Sequence, residues 1–126
     1  MIEIELTAQS RTKVDNNNTA IALGSGDLEV FATPAMIALM ESAAMRAVAS
    51  QLDENSTTVG TSMNSSHIKA SGIGNEIVAS ARVVAVEGRK ITFRVEAHDA
   101  EGLIGEGDHT RFVVDRTKFM QKVKGL

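Results

Sequence analysis

One carboxylate stands out chemically because it lies in an otherwise apolar stretch. Between residues 34 and 45, Glu41 is the only charged side chain and Ser42 the only other polar one. The composition predicts a helix without a polar face, and such a helix is expected to be covered on every side. A carboxylate in it is costly to bury unless it has a partner or a task. Glu41 is therefore a candidate for acid–base work. The alternatives are a helix patch that reaches solvent and a structural bond to a backbone group.

A hydroxyl marks the start of the same helix. Thr33 precedes Pro34, which suits the first helical position, so Thr33 is expected to be the N-cap residue. A helix N-terminus also favours developing negative charge, which gives the Thr33 hydroxyl a second possible role. Glu41 lies about 12 Å further along the axis at a rise of ~1.5 Å per residue. A direct Thr–Glu hydrogen bond is therefore not expected, although both side chains can face one bound group.

A polar strand segment, GTSMNSSH, occupies residues 60–67. Simple alternation puts Thr61, Ser65 and His67 on one face and Gly60 on the other. A strand beside a covered helix is normally more apolar than this one. Sequences tend to depart from such local patterns at functional sites. His67 is therefore a candidate site residue, with a satisfied structural histidine as the alternative.

The segment GEGDHTRFVV, residues 105–114, places small residues and then charge on one strand face. Arg111 can supply a fork of donors to an anionic ligand. The alternative is a solvated sheet edge. The members of this face are Gly105, Gly107, His109, Arg111 and Val113.

Composition excludes several classes of protein. The chain has 126 residues, 43% of them hydrophobic and 23% charged, which predicts one globular domain over residues 1–126. A net charge of −3, with four Phe and neither Trp nor Tyr, argues against a nucleic-acid partner. The chain has no Cys, and its three His lack paired ligand spacing, so neither a metal site nor another cofactor is expected.

No membrane partner is expected either. The apolar uncharged run of residues 30–40 is well short of the ~20 residues that a membrane helix needs. The first six residues, MIEIEL, lack the basic region of a secretory signal, so a cytoplasmic location is expected.

The elements that must position these residues can be read from periodicity. Alternation of apolar and polar residues predicts a strand over residues 1–6, and a short strand is expected over 19–23. The Thr33–Pro34 start and the helix-forming residues after it predict one long helix over 33–52, and a helical turn is expected in 115–126. Four further strands joined by short turns are expected at 57–70, 75–87, 90–98 and 103–114. An antiparallel sheet must then curl around the helix, which is the α+β hot-dog fold. The seam that one sheet leaves open favours a homodimer.

Four segments resemble one family over about residues 28–123. They are VFATPAMIALMESAA (30–44), GTSMNSSH (60–67), VEGRKITFRVEAHD (86–99) and GEGDHTRFVV (105–114). In type and spacing they are similar to the fluoroacetyl-CoA thioesterase-type branch of the hot-dog superfamily. The resemblance implies a homodimer that hydrolyses an acyl-coenzyme A thioester at sites near the subunit interface.

The resemblance also implies roles for individual residues. The catalytic residues of the family fall on Thr33, Glu41 and His67. The glycine whose backbone amide faces the acyl group falls on Gly60, and the substrate-side arginine falls on Arg111.

The chain departs from this family just ahead of the VFAT string. There the fluoroacetyl-specific enzyme has aromatic lid residues, whereas residues 23–29, LGSGDLE, contain no aromatic side chain. The expected substrate is thus a small or medium acyl-CoA of unspecified acyl group. Two other functions stay open on the same fold: a non-catalytic acyl-CoA sensor, and a hydratase of enoyl-CoA.

Overall fold

A curled five-stranded antiparallel sheet packs around one long helix in this computed structural model, which describes residues 2–126. The strands are β1 (Thr7–Lys13), β2 (Ser56–His67), β3 (Glu76–Glu87), β4 (Lys90–Asp99) and β5 (Gly102–Asp115). The order across the sheet is β1-β3-β4-β5-β2, so β1 and β2 are its free edges. The hot-dog architecture predicted from the sequence is confirmed.

Three α-helices accompany the sheet: α1 (Ala20–Leu23), α2 (Thr33–Val48) and α3 (Arg116–Val123). A 3-10 turn over Ala49–Gln51 extends α2. Ala, Met and Leu, all strong helix formers, dominate α2, and Pro34 lies in its first turn. No helix within residues 2–126 is both long and apolar enough to cross a membrane.

The core lies between the inner face of α2 and the concave face of the sheet. Short side chains on the helix let it approach the sheet closely, and Ile, Val and Phe of β3 and β4 fill the space between them. The predicted alternation in both strands is confirmed. The helix contributes Met36, Met40, Ala43, Ala44, Ala47 and Val48 to this core.

The prediction that α2 is covered on every side is wrong for the single chain. Met45 is 44% exposed, and Ala38 also lies on the surface. One sheet covers only one side of a helix, which leaves the opposite side apolar and open.

Two expectations for the N-terminal region are also wrong. The strand predicted over residues 1–6 begins only at Thr7, because Glu5 has a left-handed φ of 74° that interrupts an extended chain; Met1 lies outside the described residues. Residues 19–23 form α1 with its cap rather than a strand. The Thr19 hydroxyl accepts a hydrogen bond from the Ala22 N–H at 3.2 Å, and this cap stabilises the turn as a helix.

Candidate active site

Thr33 and His67 form a hydrogen-bonded pair. Thr33 is the first residue of α2 and His67 the last of β2, and Thr33 Oγ1 lies 2.7 Å from His67 Nδ1. The N-cap residue is Ala32, and Thr33 makes no capping bond, so the predicted capping role is wrong. Its hydroxyl bonds the histidine instead.

The other ring nitrogen of His67 has no partner. Within residues 2–126, Nε2 is a buried polar atom without a hydrogen bond. Burial lowers the pKa of His67 below its ordinary 6.5, although the nearby backbone of Lys69 acts the other way. The imidazole is therefore neutral at pH 7. A buried polar atom of this kind is costly until a ligand or another chain meets it.

Glu41 faces Arg111 without a close contact. Its Oε2 lies 4.0 Å from Arg111 Nη1, and the Glu41 side chain is 42% exposed while that of Arg111 is 8% exposed. No donor within residues 2–126 hydrogen-bonds the carboxylate. Glu41 is thus not buried in the single chain, and it keeps its oxygens available.

Arg111 is held in place by Thr58 of the adjoining strand β2 and by His109 of its own strand, β5. Its Nε donates to Thr58 Oγ1 at 2.8 Å, its Nη2 donates to the Thr58 carbonyl at 2.9 Å, and its Nη1 lies 3.2 Å from His109 Nε2. Burial lowers the pKa of Arg111 below its ordinary value, and the Glu41 carboxylate acts in the opposite direction. The fork of donors predicted to face a ligand is therefore largely used within the chain, and the Nη1 side faces Glu41.

Gly60 provides the space in which these groups meet. A Cβ built on Gly60 would lie 2.9 Å from Glu41 Oε2, 3.2 Å from His109 Cε1 and 3.3 Å from Arg111 Nη1. Any side chain at this position would displace the carboxylate or its neighbours. Gly60 is therefore a close-approach glycine.

Simple alternation predicted the wrong face for Gly60. The β2–β5 register shifts between Gly60 and Ser62, so Thr61 is the extra residue of a β-bulge. Beyond the bulge the alternation is reset. Gly60 consequently faces α2, as His67 does, while Thr61 is exposed.

Two glycines of β5 allow the far end of β2 to approach closely. Gly105 pairs with His67 and Gly107 with Ser65. A Cβ on Gly105 would lie 2.5 Å from Met36 Sδ, and one on Gly107 would collide with the Asn64 carbonyl. The predicted common face of β5 is confirmed by the burial of its small residues, His109 and Arg111. Its glycines help to bring His67 to the start of α2.

The structure thus forms two groups rather than one Thr–Glu–His cluster. Thr33 and His67 lie beside a cleft of about 260 Å³ whose walls include Ala20 and Ser25. Glu41 lies about 12 Å along α2 at ~1.5 Å per residue. No hydrogen bond or ion pair within residues 2–126 joins it to the other two.

Comparisons with known proteins agree with this fold. The family of fluoroacetyl-CoA-specific thioesterases, FlK, matches residues 14–117. Fluoroacetyl-CoA thioesterase from Streptantibioticus cattleyicolor is 41% identical over 96 residues, which are 76% of this chain and 69% of that protein.

Solved structures of FlK superimpose on nearly the whole chain. One has a TM-score of 0.93 at 32% identity and covers 99% of this chain and 97% of its own. A variant of FlK in complex with acetyl-CoA has a TM-score of 0.92 at 32% identity, with 98% of each chain covered. The chain therefore belongs to the fluoroacetyl-CoA-specific thioesterase family, a family of acyl-CoA thioester hydrolases with the hot-dog fold.

Proposed function

We propose that residues 1–126 are a single thioesterase domain that hydrolyses a small or medium acyl-CoA to the free acid and coenzyme A. The observation that carries the proposal is the Glu41 carboxylate, which Arg111 faces at 4.0 Å and no donor within residues 2–126 satisfies. A sensor that only binds an acyl chain has no need of such a carboxylate in its wall. Membership of a thioesterase family supports the same conclusion.

Glu41 brings about the attack on the thioester carbonyl carbon in this mechanism. As a general base it takes a proton from water, whose oxygen forms the new bond to the carbonyl carbon as the C–S bond breaks. As a nucleophile its own oxygen forms that bond as the C–S bond breaks, and water then opens the mixed anhydride. In both routes water and thioester become acid and thiol. Arg111, at 4.0 Å, orients the carboxylate by charge attraction before the attack.

Three further groups act on the carbonyl oxygen and the leaving sulfur of the thioester: Thr33, His67 and the Gly60 N–H. The neutral imidazole hydrogen-bonds the Thr33 hydroxyl through Nδ1, and this leaves Nε2 as the free polar atom for the substrate. The hydroxyl, the Gly60 N–H and the N-terminus of α2 stabilise the carbonyl oxygen as charge develops. With Nδ1–H donating to Thr33 Oγ1, Nε2 of His67 has a free lone pair, through which it takes up the proton that water releases and passes it to the departing thiolate.

A homodimer brings the two groups together in this proposal. β2 is a free edge of the sheet and carries both Gly60 and His67. Antiparallel pairing of two β2 strands about a point between Met63 and Asn64 sets Gly60 opposite the partner subunit's His67. Glu41 beside Gly60 then meets the Thr33–His67 pair of the other protomer, which closes the ~12 Å gap within one chain.

The acyl group is proposed to be small or medium. The cleft beside Thr33 and His67 is about 260 Å³ and has short side chains in its wall, such as Ala20 and Ser25. We do not extend the fluoroacetyl group of the relative named fluoroacetyl-CoA thioesterase to this chain, because residues 23–29 lack aromatic side chains. We also propose a cytoplasmic location, since coenzyme A thioesters are intracellular metabolites.

Thiol release from a panel of acyl-CoAs, followed with a thiol-reactive dye, tests the proposal. The chain has no Cys, so every thiol detected comes from substrate. Turnover by the wild type that Glu41→Gln removes supports hydrolysis and identifies the acyl class. Binding without thiol release, seen as protection against heat, would contradict hydrolysis and favour a sensor. Water addition to an enoyl-CoA without thiol release would identify a hydratase.

A further inference from the structure

His109 is a buried histidine that the mechanism above does not use. Its side chain is 1% exposed, and its ring lies with its centroid 6.0 Å from that of Phe93. His109 Nδ1 lies 2.7 Å from the Ser62 carbonyl oxygen. A carbonyl oxygen only accepts, so Nδ1 carries the ring proton.

The ring is neutral, and its second nitrogen is an acceptor. Burial lowers the pKa of His109, and Arg111 adds to this effect, while the bond to Ser62 and the Glu41 carboxylate oppose it. A neutral ring protonated on Nδ1 has a lone pair on Nε2. The atom 3.2 Å from Nε2 is Nη1 of Arg111, which can only donate.

This bond fixes the part of Arg111 that faces Glu41. Thr58 holds Nε and Nη2 of the guanidinium from the other side. Among residues 2–126, only His109 hydrogen-bonds Nη1, the nitrogen that lies 4.0 Å from Glu41 Oε2. Without His109, the guanidinium can tilt about its two bonds to Thr58 and change its distance to the carboxylate.

We propose that His109 is a positioning residue, which in its Nδ1-protonated tautomer directs Nη1 of Arg111 at the Glu41 carboxylate. The proposal rests on the proposed function, because Glu41 is the reactive group there. The tautomer is set by a backbone carbonyl next to the β-bulge at Thr61 rather than by a titrating neighbour. The same bond ties β5 to the bulged segment that carries Gly60, so the parts around Glu41 are aligned together.

Nitrogen-15 NMR of histidine-labelled protein tests the tautomer without any substrate. The chain has three His, so the assignment is simple: the signals that are lost in His109→Gln belong to His109. We expect Nδ1 protonated and Nε2 unprotonated at pH 7, with the Nε2 resonance shifting in Arg111→Lys. A ring protonated on Nε2, or charged at pH 7, would overturn the proposal whether or not the protein is a thioesterase.

A pair of substitutions then separates positioning from packing. The amide of Gln reaches the position of Nε2 and can accept from Arg111, whereas Asn reaches only the position of Nδ1 and can bond only Ser62. We expect His109→Asn to lower kcat about 10-fold with KM within about 2-fold, and His109→Gln to restore most of kcat. His98→Gln, at an exposed position, is the matched control.

Equal losses in both variants, with parallel losses of thermal stability, would show a structural role and overturn the proposal. Wild-type activity in both would overturn it as well. Absence of turnover in the wild type on every acyl-CoA would instead refute the proposed function, and the NMR result would still decide the tautomer and the bond to Arg111.

Discussion

Two ion pairs that each have one almost fully buried side chain, Lys69–Asp99 and Glu41–Arg111, differ in how completely their carboxylates are satisfied. Lys69 Nζ lies 2.6 Å from Asp99 Oδ2, and the Asp99 side chain is 1% exposed. Ser71 and the Glu101 N–H also donate to this carboxylate, each at 2.8 Å. The hydrogen bond from Lys69, with those other donors, lowers the pKa of Asp99 from 3.8 to about 2.

Glu41 presents the opposite case. Its partner Arg111 lies at 4.0 Å, its side chain is 42% exposed, and no donor within residues 2–126 hydrogen-bonds it. A carboxylate with three close donors has little capacity left to take a proton or attack a carbonyl carbon, whereas one that is oriented but unsatisfied keeps it. The difference supports our proposal that Glu41 acts in the reaction, whereas Asp99 stabilises the fold.

The largest predicted effect comes from mixing two inactive variants. Glu41→Gln and His67→Ala each lose about 10²-fold or more in kcat alone, since each removes a group that acts in the reaction. In the proposed dimer, each site combines Glu41 of one protomer with the Thr33–His67 pair of the other. A dimer of the two variants then has one intact site and one site that carries both substitutions. An equal mixture after unfolding and refolding then recovers about a quarter of wild-type turnover.

The control for this experiment is each variant refolded alone, which stays inactive. A mixture as inactive as its components, although mixed dimers have formed, would show that each site is built within one chain.

Asp99→Asn breaks the satisfied pair. We expect it to lower the free energy of unfolding by about 1–2 kcal/mol at pH 7, a modest loss because Lys69 remains partly exposed. The pKa of Asp99 is lower in the folded chain, so its stabilisation is complete above about pH 5 and is lost as pH falls toward about 2. Urea unfolding at several pH values measures this, and the difference between wild type and variant should shrink in acid.

Asp108→Asn is the matched control, because Asp108 is 65% exposed and its contact with Arg94 is 3.5 Å. Its effect is expected within about 0.5 kcal/mol. A gap between wild type and Asp99→Asn that does not change with pH would refute the account of this pair.

Gly60→Ala disturbs the unsatisfied pair without removing a charge. The new Cβ would lie 2.9 Å from Glu41 Oε2, so the carboxylate must move. We expect kcat to fall about 10-fold, with the free energy of unfolding changed by less than about 1 kcal/mol. Gly72→Ala, where a Cβ meets no atom within 4 Å, is the control. Normal turnover in Gly60→Ala would mean that the position of Glu41 is unimportant.

Much of the fold followed from patterns that are local in the chain. The alternation in β3 and β4 and the short turns that join β3 to β4 and β4 to β5 are features of a few neighbouring residues, and these predictions are confirmed. The hairpin expected between β2 and β3 is wrong, because β2 pairs with β5 at the other edge of the sheet. Residues 1–6 and 19–23 misled the same reasoning. Alternation near Glu5 is interrupted by a positive φ, and the side chain of Thr19 stabilises a helical turn that hydrophobicity alone does not reveal.

The site was predictable in its residues more than in its geometry. Glu41 and His67 stood out because each breaks the pattern of its own element, and the family resemblance supplied their proposed roles. The bulge at Thr61, which sets the face of Gly60, leaves no period-2 signal. The role of His109 had one signal, a His and an Arg two apart on one strand face, but its tautomer depends on a carbonyl of another strand.

The most direct measurement compares turnover and unfolding in Glu41→Gln and Asp99→Asn, using the best substrate of the acyl-CoA panel. The account predicts that Glu41→Gln loses about 100-fold or more in kcat and keeps the urea midpoint of the wild type. It predicts that Asp99→Asn loses stability and keeps its turnover under conditions where it is folded. Near-normal turnover in Glu41→Gln would contradict the central claim that this unsatisfied carboxylate carries the reaction.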